Sequence, residues 1–329
     1  MKKIVKYCGL AALLAGAAFC LPNCDDDNGT GPEPYDGPWK IVSCPEGPSY
    51  LKGVFFLNSE LGYAVGCRHI LKYDGTEWKI DFAYKEYSER YVVALEDVWF
   101  NAPGDGWVAG REYDTETKIS TALLLRYNGE EWKRFNHGTP ATSFEALHFL
   151  SANEGWAAGF GICHWNGVTW EYVSDLSYLT DIFANYPTDV WAVSKYSERI
   201  YHYDGVTWTK VHEDPWGVEL RSIFFTSPYH GWAGANKGVK ASDQSALLEY
   251  KDGKWSYFPL EVRRSGINAI HFASPSCGWA AEQYTYYYDG DKWRYVKDPA
   301  TNFITDVFTL SEDDAWAVGE GAEILHYEP

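Results

Sequence analysis

Two short aromatic signals each recur seven times along this chain of 329 residues. The first sets an aromatic residue among small ones, as in residues 106–110 (GWVAG) and 315–319 (AWAVG). The second joins an aromatic, a turn and a Trp, as in residues 203–208 (YDGVTW). Its Trp members are Trp39, Trp78, Trp132, Trp170, Trp208, Trp255 and Trp293. Trp170 and Trp208 are 38 residues apart, and a fixed period of 20–50 residues indicates a repeat architecture.

Each repeat reads as four short strands. In the fourth repeat we predict strand A at 181–184, B at 190–194, C at 199–203 and D at 207–211. Asp204-Gly205 supplies the positive-φ residue that a tight C–D hairpin needs. Four-stranded units at this period are typical of propeller blades. The sequence therefore predicts an all-β chain with a single seven-bladed β-propeller over residues 35–329.

The two ends of the repeat region complement each other. The last repeat stops at Pro329, where its turn and D strand should begin, while residues 35–42 (YDGPWKIV) carry that turn and strand alone. We therefore expect residues 35–42 to complete the last blade and close the ring, which leaves no open sheet edge at the chain break.

The aromatic-small signal and the turn-plus-Trp signal together resemble the propellers of photosystem II stability and assembly factors and their bacterial relatives. The turn-plus-Trp element also resembles degenerate BNR/Asp-box hairpins. The resemblance covers residues 35–329 and implies the propeller fold.

The first 34 residues read as an export segment and a tether. Lys2, Lys3 and Lys6 precede the short apolar stretch 7–19, which predicts a signal peptide over residues 1–23. Residues 21–24 (LPNC) resemble a bacterial lipoprotein signal, so we expect lipidation at Cys24 and an acidic flexible tether over 24–34. Lipidation at Cys20 and plain secretion after Ala17 are the alternatives. The expected location is the cell envelope, with a lipid anchor in a membrane.

Charge and motifs limit the function. The formal net charge of −18 argues against nucleic acid as a partner. HExxH, GxSxG, CxxC and Walker motifs are absent from the sequence, so we expect no metal, no cofactor and no catalysis. The leading hypothesis is a monomeric scaffold that binds a protein partner. A glycan-binding module is the alternative, and a sialidase-like glycoside hydrolase or lyase is a further one.

The insertions predict which face binds. Blade geometry places the B–C and D–A connections on one face, which we call the loop-rich face, and the A–B and C–D turns on the other, the turn face. Insertions at 83–95, 111–121 and 236–246 all belong to the loop-rich face, and loops on a rigid scaffold commonly carry function. The candidate contact residues there are Lys52, Tyr84, Tyr87, Arg90, Arg111, Tyr113, Glu145, Trp216, Arg221, Arg263, Arg264 and Asn268.

The remaining polar and aromatic signals favour structure over chemistry. His148 and His271 share one strand-A position, and other histidines share a strand-C position, so their copies spread around the ring. The repeated Trp residues are expected to pack between blades. Cys44 and Cys67 fall on the loop-rich face in neighbouring blades, where a disulfide is plausible after export.

Overall fold

The computed structural model describes residues 38–84, 90–195, 199–213, 219–236, 246–260 and 266–329. Every regular element in these ranges is a β-strand. The strands form seven separate four-stranded antiparallel sheets, each running from an inner strand A to an outer strand D. The part of the chain that the structure describes includes no helix long and apolar enough to cross a membrane.

In the order A, B, C, D, the blades are blade 1, β2 (Gly53–Asn58), β3 (Leu61–Gly66), β4 (His69–Tyr73), β5 (Trp78–Ala83); blade 2, β6 (Tyr91–Ala102), β7 (Asp105–Asp114), β8 (Ser120–Tyr127), β9 (Trp132–Phe135); blade 3, β10 (Phe144–Ser151), β11 (Glu154–Gly159), β12 (Gly161–Trp165), β13 (Trp170–Ser174); blade 4, β14 (Leu179–Tyr186), β15 (Asp189–Ser194), β16 (Arg199–Tyr203), β17 (Trp208–Glu213); blade 5, β18 (Glu219–Ser227), β19 (His230–Asn236), β20 (Leu247–Lys251), β21 (Lys254–Phe258); blade 6, β22 (Ala269–Ser274), β23 (Cys277–Ala281), β24 (Thr285–Tyr288), β25 (Trp293–Val296); and blade 7, β26 (Ile304–Ser311), β27 (Asp314–Gly319), β28 (Ile324–Tyr327), β1 (Trp39–Val42).

The ring closes as predicted. Strand β1, from the N-terminal end of the repeat region, pairs antiparallel with β28, in a register that sets Trp39 opposite Tyr327 and Val42 opposite Ile324. The A strands of successive blades contact each other all the way round, including β26 against β2. The seven-bladed propeller is therefore confirmed, and the four strands predicted for blade 4 are present with small extensions.

The aromatic of each B strand packs into the next blade. Trp107 of blade 2 lies within 5.1–6.0 Å, centroid to centroid, of Phe149, Trp165 and Trp170 of blade 3. Trp316 of blade 7 contacts Trp78 of blade 1 in the same way. These contacts join neighbouring blades through buried rings, which explains why the turn-plus-Trp signal recurs once per blade.

The small residue before each B-strand aromatic has a packing reason. In five blades it is a glycine that faces a Phe of strand A across the ladder, and a Cβ there would lie only 2.3–2.6 Å from that ring. These pairs are Phe56 and Gly62, Phe100 and Gly106, Phe149 and Gly155, Phe225 and Gly231, and Phe272 and Gly278.

Blades 4 and 7 replace the ring with a smaller residue and the glycine with a larger one. Their pairs are Ala184 with Val190 and Thr309 with Ala315. In these two blades, the smaller residue on strand A is therefore compensated by a larger residue on strand B, as close packing requires.

We predict that Trp39→Ala destabilises the whole ring. Trp39 is fully buried and lies 4.9 Å from Trp279 and 5.3 Å from Tyr327, centroid to centroid, so its removal leaves a cavity at the closure. Truncation of a buried Trp costs about 3–5 kcal/mol in the free energy of unfolding. Urea denaturation followed by Trp fluorescence would measure the loss.

The matched control is Ile41→Ala in the same strand, where the side chain is 57% exposed. Its free energy of unfolding should stay within about 0.5 kcal/mol of the unsubstituted chain. Equal stability of both variants would show that the closure does not depend on the buried ring.

Candidate functional site

One kind of C–D turn recurs on the turn face in most blades. In five blades an Asp or Asn carboxyl or amide oxygen accepts hydrogen bonds from the backbone N–H groups two and three residues later. These residues are Asp74, Asn128, Asn166, Asp204 and Asp289. This turn requires Asp or Asn at its first position, which limits sequence variation on the turn face. The blades therefore differ from one another mainly on the loop-rich face.

Blade 2 raises a ribbon above the loop-rich face. Residues 91–95, 110–114 and 120–123 continue strands β6, β7 and β8, with Val92 opposite Tyr113 and Tyr113 opposite Ser120. We call these three segments the blade 2 ribbon. The prediction of loops at 83–95 and 111–121 is wrong for these residues. The run YVVAL at 91–95 is rich in β-branched and aromatic residues, which favours a strand over a loop.

Salt bridges hold the ribbon. Arg90 donates to Asp114 at 2.8 Å and lies 3.2 Å from Glu116, and its hydrogen bond holds the pKa of Asp114 at about 2. Arg134 of strand β9 bonds Glu112 at 3.2 Å. The predicted contact residue Arg90 is therefore already neutralised by carboxylates of its own blade.

The rim of the central channel is formed at one repeated position. A β-bulge displaces the residue near the start of strand A in five blades, at Glu96, Glu145, Thr180, Arg221 and Thr305, and Lys52 and Asn268 stand at the same position in the other two.

Part of the rim joins neighbouring blades. Thr180 donates to Leu220 O at 2.9 Å, Asn268 to Ile304 O at 3.0 Å, and Thr305 to Leu51 O at 2.8 Å. These bonds tie the mouth of the channel together from strand to strand.

Arg111 connects the ribbon to the rim. Its guanidinium lies 3.4 Å from the Glu145 carboxylate and 3.8 Å from that of Glu96. Burial and the charge of Glu145 raise the pKa of Glu96, while Arg111 and Lys52 oppose the rise. The predicted residues Lys52, Arg111 and Glu145 thus lie together at one side of the mouth.

Below the rim lies a layer of carboxyl groups. Asp97, Asp181 and Asp306 each accept the backbone N–H of the next residue and another from strand A of the following blade. Those inter-blade bonds come from Leu147, Ile223 and Val54 at 2.7–2.8 Å. The carboxyls therefore fasten three pairs of inner strands.

An aromatic collar follows below the carboxyls. All seven blades place a ring at the same strand-A position, and consecutive centroids lie 4.1–5.2 Å apart around the closed circle. The collar is Phe55, Trp99, His148, Phe183, Phe224, His271 and Phe308. The expectation that His148 and His271 serve structure agrees with this placement, and the sequence shows the full pattern once strand A is aligned across repeats.

Burial controls the ionisation of the channel, a cavity of ≈ 270 Å³ lined by these two layers. It raises the pKa of Asp97 to about 7 and that of Asp181 to about 6, and the Asp181 charge adds to the shift at Asp97. Burial and the other two carboxyls raise the pKa of Asp306 well above its usual value. Burial lowers the pKa of His148 to about 4 and of His271 to about 3, so both stay neutral at pH 7.

The other predicted site residues have mixed placements. Tyr84 is only 6% exposed, and its hydroxyl lies between Glu112 and Arg134, so its ring is core and not contact surface. Tyr113 is half-buried on the ribbon, and Arg221 pairs with Glu219 at 2.5 Å. The predicted residues outside the described ranges are Cys24, Tyr87, Trp216, Arg263 and Arg264.

Both cysteines of the expected disulfide are free thiols in this structure. The Cys67 sulfur lies 3.2 Å from the Ser49 hydroxyl, and the Cys44 sulfur lies 3.6 Å from Pro45 O. Burial raises the pKa of Cys44 to about 11, which keeps it protonated at neutral pH.

Comparisons with known proteins place this geometry among propellers. A structure described as YCF48 bound to D1 peptide is 16% identical, with a TM-score of 0.66 over 89% of this chain and 97% of that one. A catalytically inactive virginiamycin B lyase from Staphylococcus aureus with quinupristin is 9% identical, with a TM-score of 0.69 over 88% and 98%. The WD40 propeller domain of Doa1 is 10% identical, with a TM-score of 0.65 over 88% and 96%. These likenesses show the fold alone. No family model and no curated protein matches the chain.

We predict that Asp97→Asn changes how stability depends on pH. The amide presents an N–H₂ group toward one of two backbone N–H donors, which costs about 1–3 kcal/mol at acid pH. In the native protein the raised pKa of Asp97 means that its contribution is complete below pH 4 and is lost as the pH rises through about 7.

The stability advantage of the unsubstituted chain over Asp97→Asn should therefore shrink from pH 5 to pH 8 in urea titrations. Asp291→Asn, on an exposed turn, is the control and should leave the profile unchanged. An advantage that grows with pH would show instead that the two N–H groups favour the carboxylate.

Proposed function

We propose that this chain is an exported, lipid-anchored binding protein without catalytic activity, and that its loop-rich face holds a protein partner. The export signal and the lipid at Cys24 belong to the proposal, as does the expectation of a scaffold or assembly role in the envelope.

The blade 2 ribbon carries this proposal. Across its strands, Val92, Tyr113 and Ser120 are directly paired and so share one side of the ribbon. Two residues further along the ladder, Arg111 lies on that same side, where it reaches the rim carboxylates. Val92 is 47% exposed, whereas Val93, Ala94 and Leu95 next to it are buried. An apolar residue, a Tyr and an Arg on one rigid surface are the composition typical of protein contact sites.

The ribbon also has a suitable setting. It stands beside the concave mouth of the channel, so the face combines a ridge with a depression. The salt bridges of Arg90 and Arg134 fix the ridge before any partner arrives, which reduces the ordering cost of association. The neighbour described as bound to a peptide supports a protein partner by analogy of fold.

Substitution of Val92 tests the proposal. Val92→Asp adds a charge to the centre of the proposed contact and should lower partner capture at least about tenfold, because a desolvated unpaired charge costs more than about 1.4 kcal/mol. Tyr113→Ala should weaken capture in the same direction. The measurement is cross-linking and quantitative mass spectrometry from membranes, with the anchored full chain as bait.

Val206→Asp is the matched control. Val206 is 87% exposed on the C–D turn of blade 4, on the turn face, so its substitution should leave capture unchanged. A partner retained by Val92→Asp but lost by Val206→Asp would move the interface to the turn face. An equal loss of capture with Val92→Asp and Val206→Asp would show that the added negative charge weakens binding wherever it is placed, and would contradict a contact at the ribbon.

A further inference from the structure

A second concavity on the loop-rich face lies between blades 6 and 7, away from the ribbon. It encloses ≈ 350 Å³, at the lower end of the range of about 300–1,000 Å³ for ligand pockets. Its walls come from the B–C connection and D strand of blade 6, the D–A connection that leads into blade 7, and Glu320 of blade 7. The lining residues are Gln283, Tyr284, Tyr295, Lys297, Asp298, Ala300, Thr301, Asn302, Phe303 and Glu320.

We propose that this cavity binds saccharides, in the form of one or two sugar rings. The site is separate from the ribbon, and the inference goes beyond the binding of a protein partner. It concerns recognition only and involves no reaction.

The cavity is held in shape before a ligand arrives. Glu323 accepts hydrogen bonds from the backbone N–H of Thr301 at 3.2 Å and from the Asn302 amide nitrogen at 3.1 Å. Asp298 accepts from Ala300 N at 3.0 Å, and Phe303 O accepts from Glu320 N at 3.0 Å. Bonds from blade 7 and within the connection itself thus fix the D–A connection, which lowers the ordering cost of binding.

Two partly exposed aromatic rings, Phe303 and Tyr295, border the cavity, and Tyr295 also contacts the buried Tyr286 at 6.2 Å. Phe303 is 47% exposed, and the equivalent residues Ser143 and Tyr178 contribute the same backbone bond, a carbonyl that accepts an N–H from the end of strand B. The feature that these blades share at this position is therefore the backbone carbonyl, and the side chain differs between them. Tyr295 is 38% exposed, and its ring meets Tyr284 edge-on at 5.7 Å. Flat exposed rings offer surfaces on which the C–H faces of a sugar can stack.

The polar groups of the cavity suit hydroxyl ligands. Gln283, Asp298, Asn302 and Glu320 carry planar amide or carboxylate groups that can each bond neighbouring hydroxyls. The Asn302 amide nitrogen already donates to Glu323 and Thr301, so the amide oxygen is the atom that would accept a hydrogen bond from a ligand hydroxyl. Asp298 is half-buried, and this burial, with a smaller effect from the Glu323 charge, raises the pKa of its carboxyl.

A sugar satisfies both sets of groups at once. An apolar ligand would cover the amides and carboxylates without hydrogen bonds, at a cost for every buried group. A simple cation would leave the amide groups and the ring faces without a matching surface. A saccharide presents hydroxyls at its edges and C–H groups on its faces, which matches this alternation of planar polar groups and rings.

Saturation-transfer NMR and calorimetry on the full chain test the proposal. The probes are glucose, galactose, mannose, N-acetylglucosamine, glucuronic acid and their common disaccharides, followed by a glycan array for longer chains. At least one probe should bind saturably. Phe303→Ala and Tyr295→Ala should each weaken it at least about fivefold, because each removes a stacking surface.

Tyr229→Ala is the control, since Tyr229 is 82% exposed on an A–B turn of the turn face. It should leave sugar binding unchanged. Failure of every probe and every array glycan to bind the unsubstituted chain would overturn the proposal, and so would equal binding by Phe303→Ala. The ribbon is tested separately, since Val92→Asp should retain sugar binding and Phe303→Ala should retain the protein partner.

Discussion

The insertion of each B-strand aromatic into the following blade is the contact on which the rest of this structure depends. Each ring belongs to one sheet by its backbone and to the next by its packing, so no blade has a complete core of its own. Tyr63 of blade 1 shows the rule without a Trp, since it stacks 4.0 Å from Phe100 of blade 2. In blade 6 the B-strand ring, Trp279, contacts both Trp39 and Tyr327, so this contact forms only when the two ends of the repeat region meet. Stability is then a property of the closed circle and not of single repeats.

The inner strands of neighbouring blades are also joined to each other, by carboxyl hydrogen bonds and by contacts between aromatic rings. Carboxyls from blades 2, 4 and 7 accept hydrogen bonds from strand A of the next blade. Gly53 and Ala146 stand at the position equivalent to these carboxyls in the two blades that donate Val54 N and Leu147 N. A Cβ on Gly53 would come within 3.2 Å of the Asp97 carboxylate oxygen, so a small residue there makes room for the next carboxyl. The collar then supplies a ring from every blade. Function within the channel is constrained, because nearly all its polar atoms already serve the joints between blades.

The sequence predicts the parts of the fold that repetition dictates. The four strands of each blade follow from the recurring aromatic signals, and the closure follows from the complementary ends of the repeat region, both visible in the residues themselves. The sequence does not predict the ribbon as a strand extension, because length variation between repeats usually falls in loops, although residues 91–95 (YVVAL) carry a strand pattern. The sequence does not predict the burial of Tyr84, because its contacts, Glu112 and Arg134, lie 28 and 50 residues away in sequence. The blade 6–7 cavity could not be predicted, since it arises where three connections and one strand meet in space.

The two faces differ in how many of their side chains are required by the fold itself. On the turn face, side chains such as Asp204 and Asp289 make the turns themselves, so their identity is fixed by the backbone they support. On the loop-rich face, the position held by Ser143, Tyr178 and Phe303 contributes the same backbone carbonyl in each of these blades, while its side chain differs in size and in its contacts. Variation in this propeller therefore accumulates on one face for a physical reason. The same reason makes that face the place where a ridge such as the ribbon and a cavity such as that beside Phe303 can both arise on one unchanged ring.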